Sequence, residues 1–311
     1  MRIVVLDGFT ANPGDLSWDE IYRLGETTVY DRTDAKDIVA RAKDADAILL
    51  NKCPMKKQTM MQLGNLKYIG VLATGYNVVD TAYAKEAGIV VTNIPAYSTA
   101  SVAQHVFALI LEMASHVGVH SQRCLSGAWE TSKDFCFWDH PLTELYGKTL
   151  GIIGNGAIGQ AAGRIASAFG MNVISYSPSK NAPETLEKIY QEADIISLNC
   201  PLKEDNKEMI SSSSISRMKK GVWIVNTARG GLVNEQDVKD ALISGQIGGF
   251  AADVVSVEPI KHDNPLLTAP NVILTPHIAW APLEARKRLI KIAAENLKSF
   301  IAGTIVNCVN V

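Results

Sequence analysis

The chain has 311 residues, which is enough for two domains with separate hydrophobic cores. Hydrophobic residues make up 47%, charged residues 20%, and the formal net charge is −2, so the composition is that of an ordinary globular protein and argues against binding to nucleic acid or to a membrane. The five cysteines include no C-x-x-C pair, which favours a reducing, cytoplasmic compartment. The opening residues, Met1–Gly8, predict a buried strand rather than a signal peptide.

The first hundred residues alternate short apolar runs with amphipathic segments, which predicts a parallel α/β sheet. The predicted strands are Ile3–Leu6, Thr28–Tyr30, Ala47–Leu50, Tyr68–Leu72 and Ile89–Thr92. The predicted helices are Trp18–Leu24, Asp34–Ala42, Lys57–Leu63 and Asp80–Ala87. The fourth strand leads into a loop with Thr74 and Gly75, at the kind of strand end where open α/β sheets bind ligands. A simple turn at Gly75 explains this loop equally well.

A long apolar helix follows, beginning at Ser98–Ser101, where Ser101 and Gln104 have the spacing of a capping box. We predict that it continues to about Leu125 and stops at Ser126–Gly127. A set of potential zinc ligands recurs every four residues on one face of this helix: His116, His120 and Cys124. Because no fourth ligand is evident, we favour a solvated or subunit-facing stripe and predict no metal. The aromatic segment 135–141 is either core filler or the wall of a pocket.

A glycine-rich motif lies at the centre of the chain. An apolar strand, Thr149–Ile153, is followed by G-x-G-x-x-G, a helix to Phe169 and a second strand, Asn172–Tyr176. This order within about 30 residues predicts a dinucleotide-binding βαβ unit. The first glycine permits the tight turn, the second lets a pyrophosphate approach the backbone, the third lets helix and strand pack closely, and the helix N-terminus attracts phosphate. We assign the motif residues to cofactor binding: Gly154, Gly156, Ala157, Ile158 and Gly159.

Further strands extend this second sheet, and a closing helix ends the α/β pattern. The strands are Asp194–Leu198, Val222–Val225, Gly249–Ala252 and Val272–Leu274, with helices at Asn234–Ile243 and about Pro282–Ala302. The fold class predicted is α/β, with two doubly wound parallel-sheet domains that resemble the Rossmann fold. We expect the last helix to return to the first domain.

Three polar residues follow strands of this second sheet, on its ligand-binding edge: Arg229, Glu258 and His277. Reduction of a 2-oxo acid needs a fixed cation for the carboxylate and a proton donor for the carbonyl oxygen. Arg suits the first task, and a His oriented by a carboxylate suits the second. Asp253 has two interpretations, as an acceptor for the carboxamide of a nicotinamide or as a cap for the following loop. The other five histidines, His105 among them, lack this placement.

These strings together resemble the D-isomer-specific 2-hydroxyacid dehydrogenase family over essentially the whole chain. The strings are Asn226–Gly231, Ala252–Val254, Val257–Pro259 and Thr275–His277, with Gly154–Gly159 and Ala73–Asp80. Within the family, the chain most resembles glycerate dehydrogenases (hydroxypyruvate reductases). Three segments carry that closer likeness: Leu72–Asp80, Asp134–Trp138 and His277–Trp280.

The resemblance implies a discontinuous, flavodoxin-like substrate domain, residues 1–99 plus 282–311, around an NAD(P)-binding Rossmann domain, residues 100–281. It implies a homodimer formed through the nucleotide-binding domains. It assigns Arg229 to substrate orientation, Glu258 to the partner of His277, and His277 to acid–base catalysis. It also implies that backbone N–H groups around Thr74 and Gly75 hold the carboxylate. The remaining cofactor contacts that we expect are Cys200, Pro201, Thr227, Ala228, Arg229, Asp253, His277 and Ala279.

The sequence departs from the family at two positions. Asn199 stands where the family often has His, and Ser177 stands at the end of the second strand, where NAD enzymes usually place an acid for the ribose 2′-OH. The nearby hydroxyls and Lys180 suit a 2′-phosphate, so we expect NADPH to be accepted and preferred over NADH.

We therefore predict NAD(P)H-dependent reduction of hydroxypyruvate or glyoxylate, with no nucleic-acid or membrane partner. The alternatives within the enzyme class are a D-lactate and a phosphoglycerate type of dehydrogenase. The alternative from another class is a nucleotide-sensing protein resembling a corepressor, because a fold alone does not fix function.

Overall fold

The computed structural model describes residues 1–178 and 182–310 and divides the chain into two compact units. The first unit comprises Met1–Ser98 and Ala281–Val311, and the second comprises Thr99–Trp280. Each unit contains one parallel sheet, so the predicted α/β class with two parallel-sheet domains is confirmed.

The first unit is built on a five-stranded sheet with the order β2-β1-β3-β4-β5, which is the flavodoxin-like order. Its strands are β1 (Arg2–Val5), β2 (Glu26–Val29), β3 (Ala47–Leu50), β4 (Tyr68–Val71) and β5 (Val90–Thr92). Its first four helices are α1 (Asp19–Tyr22), α2 (Ile38–Ala42), α3 (Lys57–Met60) and α4 (Thr81–Glu86). Every residue of β3 and β4 is buried, because helices cover both faces of a parallel sheet.

The second unit has a six-stranded sheet with the order β11-β10-β9-β8-β6-β7. Its strands are β6 (Thr149–Ile153), β7 (Asn172–Tyr176), β8 (Ile195–Leu198), β9 (Val222–Asn226), β10 (Ile247–Ala252) and β11 (Val272–Leu274). Its helices are α5 (Thr99–Ser115), α6 (Val117–Leu125), α7 (Ala157–Ala168), α8 (Pro183–Glu192), α9 (Ser212–Ile215) and α10 (Glu235–Ser244). All neighbouring strands run parallel, so their carboxyl ends meet at one edge.

The closing helix, α11 (Leu283–Ile301), belongs to the first unit. Its residue Asn296 donates to the carbonyl of Asn93 (2.9 Å), and the ring of Phe300 packs on that of Tyr68 at 4.9 Å. Near its start, the Arg286 guanidinium binds both oxygens of Asp15, at 2.7 and 2.6 Å. This bidentate hydrogen bonding holds the pKa of the Asp15 carboxyl below its usual value. The chain end therefore completes the core of the first unit.

The prediction of one continuous helix to Leu125 was wrong. The helix breaks at His116, whose φ of 50° lies in the left-handed region, and α5 and α6 are bent by 57° at this point. The stop near Gly127 was right, since its φ is +86°. Ser101 is not the N-cap, because α5 already begins at Thr99. Helix α8, which buries only Ile189 and Tyr190, was not predicted from the sequence.

The potential zinc ligands do not form a metal site. His120 Nδ1 contacts the carbonyl of His116 at 2.9 Å, and the His116 ring lies 4.9 Å from that of His140. Burial and the neighbouring His140 lower the pKa of His116. Across residues 1–178 and 182–310, no group of three or more His, Cys, Asp or Glu side chains could hold a metal ion.

The aromatic segment 135–141 is not core filler, because Phe135 and Trp138 are 88% and 64% exposed. Helix α6 buries none of its residues.

No single helix within the described ranges has the length and apolar character to cross a membrane, although α5 and α6 together pass that test as a bent pair. Nine residues of α5 are buried, which is also the pattern of a helix in a protein core.

Candidate active site

The carboxyl ends of the second sheet form its ligand-binding edge. Strand β6 lies between β7 and β8, so the chain connections reverse direction between β6 and β8. In open α/β sheets, the crevice outside such a reversal is where ligands bind. The six strands β6 to β11 all lead into loops at this edge. These loops contain most of the catalytic and cofactor-binding residues predicted from the sequence.

The glycine motif has the local structure that its sequence predicts. Gly154 has a φ of +103°, and a Cβ on it would lie 2.5 Å from the backbone of Cys200. A Cβ on Gly159, in the first turn of α7, would lie 2.2 Å from the Gly154 carbonyl oxygen, so the helix packs directly on the loop. A Cβ on Gly156, the N-cap of α7, would meet nothing within 4 Å.

This open space lies over the first turn of α7, which begins with Ala157 and Ile158. Gly156 and Ala157 are exposed, and Ile158 is half-buried. The first N–H groups of a helix have no partner within the helix, and they favour an anion. The loop therefore fits a pyrophosphate, as the motif predicts.

Two buried polar atoms at this edge have no hydrogen-bond partner among the described residues. They are Asn199 Oδ1, just beyond β8, and Thr227 Oγ1, just beyond β9. Buried polar atoms are normally hydrogen-bonded, so unpaired ones at a ligand-binding edge point to a polar ligand. The Cys200 thiol packs in the core, where burial raises its pKa, so only its backbone is suited to contact a cofactor. Pro201 is exposed.

Ser177 immediately follows β7 and is half-buried. It stands where a carboxylate is expected in an NAD enzyme. Lys180, the predicted partner of a 2′-phosphate, lies outside the described residues.

The loop after β9 is shaped by Asn226, which the sequence analysis did not select. Its amide donates to the Arg229 carbonyl (2.9 Å) and accepts from the Ala228 N–H (3.0 Å). A Cβ on Gly230 would lie 1.9 Å from the backbone of Val255, so the loop approaches its neighbour as closely as glycine allows. This packing leaves Arg229 exposed, with Nη1 donating to the Ala228 carbonyl at 2.6 Å. An Asn at a strand end is a recognisable turn signal that could have identified Asn226.

Glu258 and His277 form a hydrogen-bonded pair. His277 Nδ1 lies 2.6 Å from Glu258 Oε2, and the other carboxylate oxygen accepts from the Val255 N–H at 3.3 Å. The side chain of His277 is 29% exposed and that of Glu258 is 35% exposed. Because Nδ1 faces the carboxylate, it carries a proton, and Nε2 is the nitrogen that can exchange a proton with a ligand. The structure therefore brings these two selected residues together.

Asp253 is buried, with 1% exposure, and its carboxylate holds the loop after β11. Oδ1 accepts from Thr275 Oγ1 (2.5 Å) and the Ile278 N–H (2.9 Å), and Oδ2 accepts from the Ala279 N–H (2.8 Å). Burial raises the pKa of this carboxyl, but hydrogen bonds from His105, Thr275 and the two N–H groups more than offset it and leave the pKa below its ordinary value. Two roles were considered for Asp253, an acceptor for the nicotinamide carboxamide and a cap for a loop. The observed contacts are those of a loop cap.

His105 on α5 is a residue that the sequence analysis set aside. Its Nε2 lies 2.9 Å from Thr275 Oγ1 and 3.5 Å from Asp253 Oδ1. No signal in the sequence identifies it, because a lone His on an apolar helix is usually a core residue and its partner lies 170 positions away.

In the first unit, Thr74 lies in a bend beyond the carboxyl end of β4, and Gly75 directly follows it. The Thr74 hydroxyl donates to the Ile94 carbonyl (2.8 Å), and the Thr74 carbonyl accepts from the Asn93 amide (2.8 Å). Neither Thr74 nor Gly75 donates its backbone N–H to another residue in the described part of the chain. Two adjacent N–H groups in such a bend can bind an anion.

Comparison with known proteins identifies the family. The sequence profile of the D-isomer specific 2-hydroxyacid dehydrogenase NAD binding domain matches residues 107–279. The chain is 51% identical to the hydroxypyruvate reductase of Blautia hydrogenotrophica over all of both chains. It is 41% identical to the glycerate dehydrogenase of Methylorubrum extorquens over 88% of each. An NADPH-dependent glyoxylate/hydroxypyruvate reductase from Sinorhizobium meliloti superposes with a TM-score of 0.84 at 28% identity, over 99% of this chain and 97% of the other.

The matched profile lies within the second unit, which also contains the Glu258–His277 pair, Arg229 and the glycine loop. The chain thus belongs to the D-isomer specific 2-hydroxyacid dehydrogenase family.

Proposed function

We propose that this enzyme reduces hydroxypyruvate or glyoxylate to D-glycerate or glycolate with a reduced nicotinamide cofactor. The observation that carries the proposal is the Glu258–His277 pair, in the loops after β10 and β11 at the same sheet edge as the glycine loop. The hydroxypyruvate reductase and glycerate dehydrogenase relatives support the choice of substrates.

The site residues account for the acid–base part of the reduction. His277 donates the Nε2 proton to the carbonyl oxygen of the substrate, and Glu258 orients the ring and stabilises the imidazolium through Nδ1. Arg229 binds the substrate carboxylate, because its planar guanidinium matches two carboxylate oxygens. In the first unit, the N–H groups of Thr74 and Gly75, which donate to no other residue in the described part of the chain, are suited to bind a carboxylate. The nicotinamide supplies the hydride when it is bound.

The cofactor is held by the loops of the second unit. The glycine loop and the first turn of α7, Gly154 to Gly159, hold the pyrophosphate. Thr227 Oγ1 is a buried atom that needs a polar partner, and the backbones of Cys200, Pro201, Ala228 and Ala279 lie at the same sheet edge. Asp253 contributes by fixing the loop that contains Ala279. We propose that NADPH is preferred, because Ser177 replaces the acid that binds the ribose 2′-OH.

Replacing Ser177 tests that preference. A carboxylate at this position repels the 2′-phosphate and accepts from the 2′-OH, so Ser177→Asp is expected to shift the ratio of kcat/KM values toward NADH by about tenfold or more. The measurement compares both cofactors with one substrate, and Ser177→Thr, which keeps the hydroxyl, serves as the matched control. A ratio that stays unchanged in Ser177→Asp contradicts the assignment.

A panel of substrates tests the proposed specificity. Initial rates with hydroxypyruvate, glyoxylate, pyruvate and phosphohydroxypyruvate separate the reductase from the D-lactate and phosphoglycerate types. We expect the highest kcat/KM with hydroxypyruvate or glyoxylate. A clear preference for pyruvate or for the phosphorylated acid would replace the proposed substrate while leaving the family unchanged.

We also propose a homodimer formed through the second unit and a cytoplasmic location. Helix α6 and the segment after it expose large apolar side chains: Val117, Leu125, Trp129, Phe135, Trp138, Leu142 and Tyr146. Large apolar side chains exposed to solvent along one segment mark a candidate interaction site. A second copy of the chain is the occupant that the family resemblance implies. All five cysteines are free thiols, which suits a reducing compartment.

A further inference from the structure

Helix α5 reaches the loop that holds His277 through one side chain. His105 Nε2 lies 2.9 Å from the hydroxyl of Thr275 and 3.5 Å from Asp253 Oδ1, and the His105 side chain is 18% exposed. These contacts join residues that are 148 to 170 positions apart in sequence. The helix, the end of β10 and the loop after β11 therefore share one partly buried polar cluster.

The proton positions in this cluster follow from its geometry. The Asp253 carboxylate has no proton to give, so the single hydroxyl proton of Thr275 is the one donated across the 2.5 Å contact to Oδ1. The Thr275 oxygen must then accept from His105, and His105 must carry its proton on Nε2. The direction of the relay is thus from His105 to Thr275 to Asp253.

The cluster anchors the loop on both sides of His277. Thr275 precedes His277 and binds Oδ1, while the N–H groups of Ile278 and Ala279 follow it and bind both oxygens. Between these anchors the backbone of His277 has a φ of 55°, a left-handed conformation that is uncommon for a residue with a side chain. Such a conformation persists where the surroundings hold it in place. The anchors therefore fix where the imidazole of His277 points.

We propose that His105 is a positioning residue, which acts through Thr275 and Asp253 to hold His277 in the orientation that its reaction needs. This inference rests on the proposed function of His277, and it gives His105 a role in the reaction that its place on an apolar helix face does not suggest. The side chain of His105 contacts the hydroxyl of Thr275 and the carboxylate of Asp253. Its effect is carried by the hydroxyl and the buried carboxylate.

Two pairs of variants test the relay. Thr275→Val keeps the shape of the side chain but removes the hydroxyl, and Thr275→Ser keeps the hydroxyl. His105→Leu removes the donor, and His105→Gln keeps an N–H at a similar reach. For each variant, kcat and KM are measured across the pH range, and the thermal unfolding midpoint shows whether the fold is retained.

The expected result is a kcat that falls about tenfold or more in Thr275→Val and His105→Leu, because a small misplacement of a catalytic group costs one to two orders of magnitude. Thr275→Ser and His105→Gln are expected to restore most of that loss. A merely structural contact would not show this rescue by the hydrogen-bonding variant.

The pH profile provides a second readout. The titratable group that faces Asp253 from α5 is His105, and its hydrogen bond is among the contacts that lower the pKa of the Asp253 carboxyl. A carboxyl with a lowered pKa keeps its contribution as the pH falls, until the pH passes through that lowered value. Removing the donor raises the pKa, so the acid limb of kcat is expected to move to higher pH in His105→Leu. The conservative variant His105→Gln is expected to keep the acid limb closer to that of the parent enzyme.

A parallel His277→Ala enzyme separates the two levels of the proposal. Loss of activity in His277→Ala together with normal kcat and pH profile in Thr275→Val and His105→Leu overturns the positioning role and leaves the proposed function intact. Full activity in His277→Ala overturns both. Equal losses in Thr275→Val and Thr275→Ser, with both proteins folded, also overturn the relay, because the hydroxyl would then be irrelevant.

Discussion

The His277→Ala enzyme is expected to reduce its 2-oxo acid at least about a hundredfold more slowly than the parent enzyme, with the fold intact. The reason is that no other imidazole lies at the end of a strand of the second sheet with a carboxylate on Nδ1, within the described residues. Removing it leaves the developing alkoxide without a proton donor. We expect kcat to fall rather than KM to rise, because the protonation occurs in the reaction step and not in substrate binding.

The matched control is His262→Ala, which removes an exposed imidazole from the same unit and is expected to leave kcat unchanged. Glu258→Gln is an informative intermediate. It keeps a hydrogen-bond acceptor at the ring but removes the charge that stabilises the imidazolium, so a smaller loss than in His277→Ala is expected. Near-normal turnover in His277→Ala would refute the assignment of the acid.

Arg229→Gln is expected to lower kcat/KM by about a hundredfold, equal to about 2.8 kcal/mol of lost interaction with the substrate carboxylate. The loop after β9 presents this guanidinium at the ligand-binding edge, and the Asn226 contacts fix its backbone. Arg229→Lys keeps the charge but loses the planar fork, so it is expected to recover only part of the loss.

The control for charge alone is Arg217→Gln, which breaks an exposed ion pair with Glu187 elsewhere in the second unit. Such pairs contribute little to stability, so this variant is expected to behave like the parent enzyme. If Arg229→Gln and Arg217→Gln gave the same kcat/KM, Arg229 would have no part in substrate binding.

The strands were predictable because a parallel sheet covered on both faces needs short continuous apolar runs. Ala47–Leu50 and Val272–Leu274 agree with the structure to the residue. The helices of the first unit were found but drawn too long: α1 is Asp19–Tyr22 rather than Trp18–Leu24, for example. Helix ends depend on local hydrogen bonds that composition does not report.

The features that the sequence did not reveal depend on contacts between distant residues or on unusual backbone. The break at His116 is a left-handed residue with a side chain, and neither of its direct neighbours, Ser115 and Val117, is glycine or proline. The role of Asp253 stayed open because both interpretations place the same carboxylate at the same strand end. Only its three partners, Thr275, Ile278 and Ala279, distinguish them. His105 was set aside because its contacts, with Asp253 and Thr275, are to residues far away in the sequence.

Transfer of a hydride to a 2-oxo acid is the central step of the proposed function. The measurement is the reduction of hydroxypyruvate with NADPH and with NADH, each carrying deuterium at both hydrogen positions of C4 of the nicotinamide, followed by mass spectrometry and chiral analysis of the product. We predict one deuterium on C2 of D-glycerate, with faster turnover from NADPH. No oxidation of either cofactor with hydroxypyruvate, glyoxylate or pyruvate would contradict the account and return the chain to the alternative of a nucleotide-sensing binding protein.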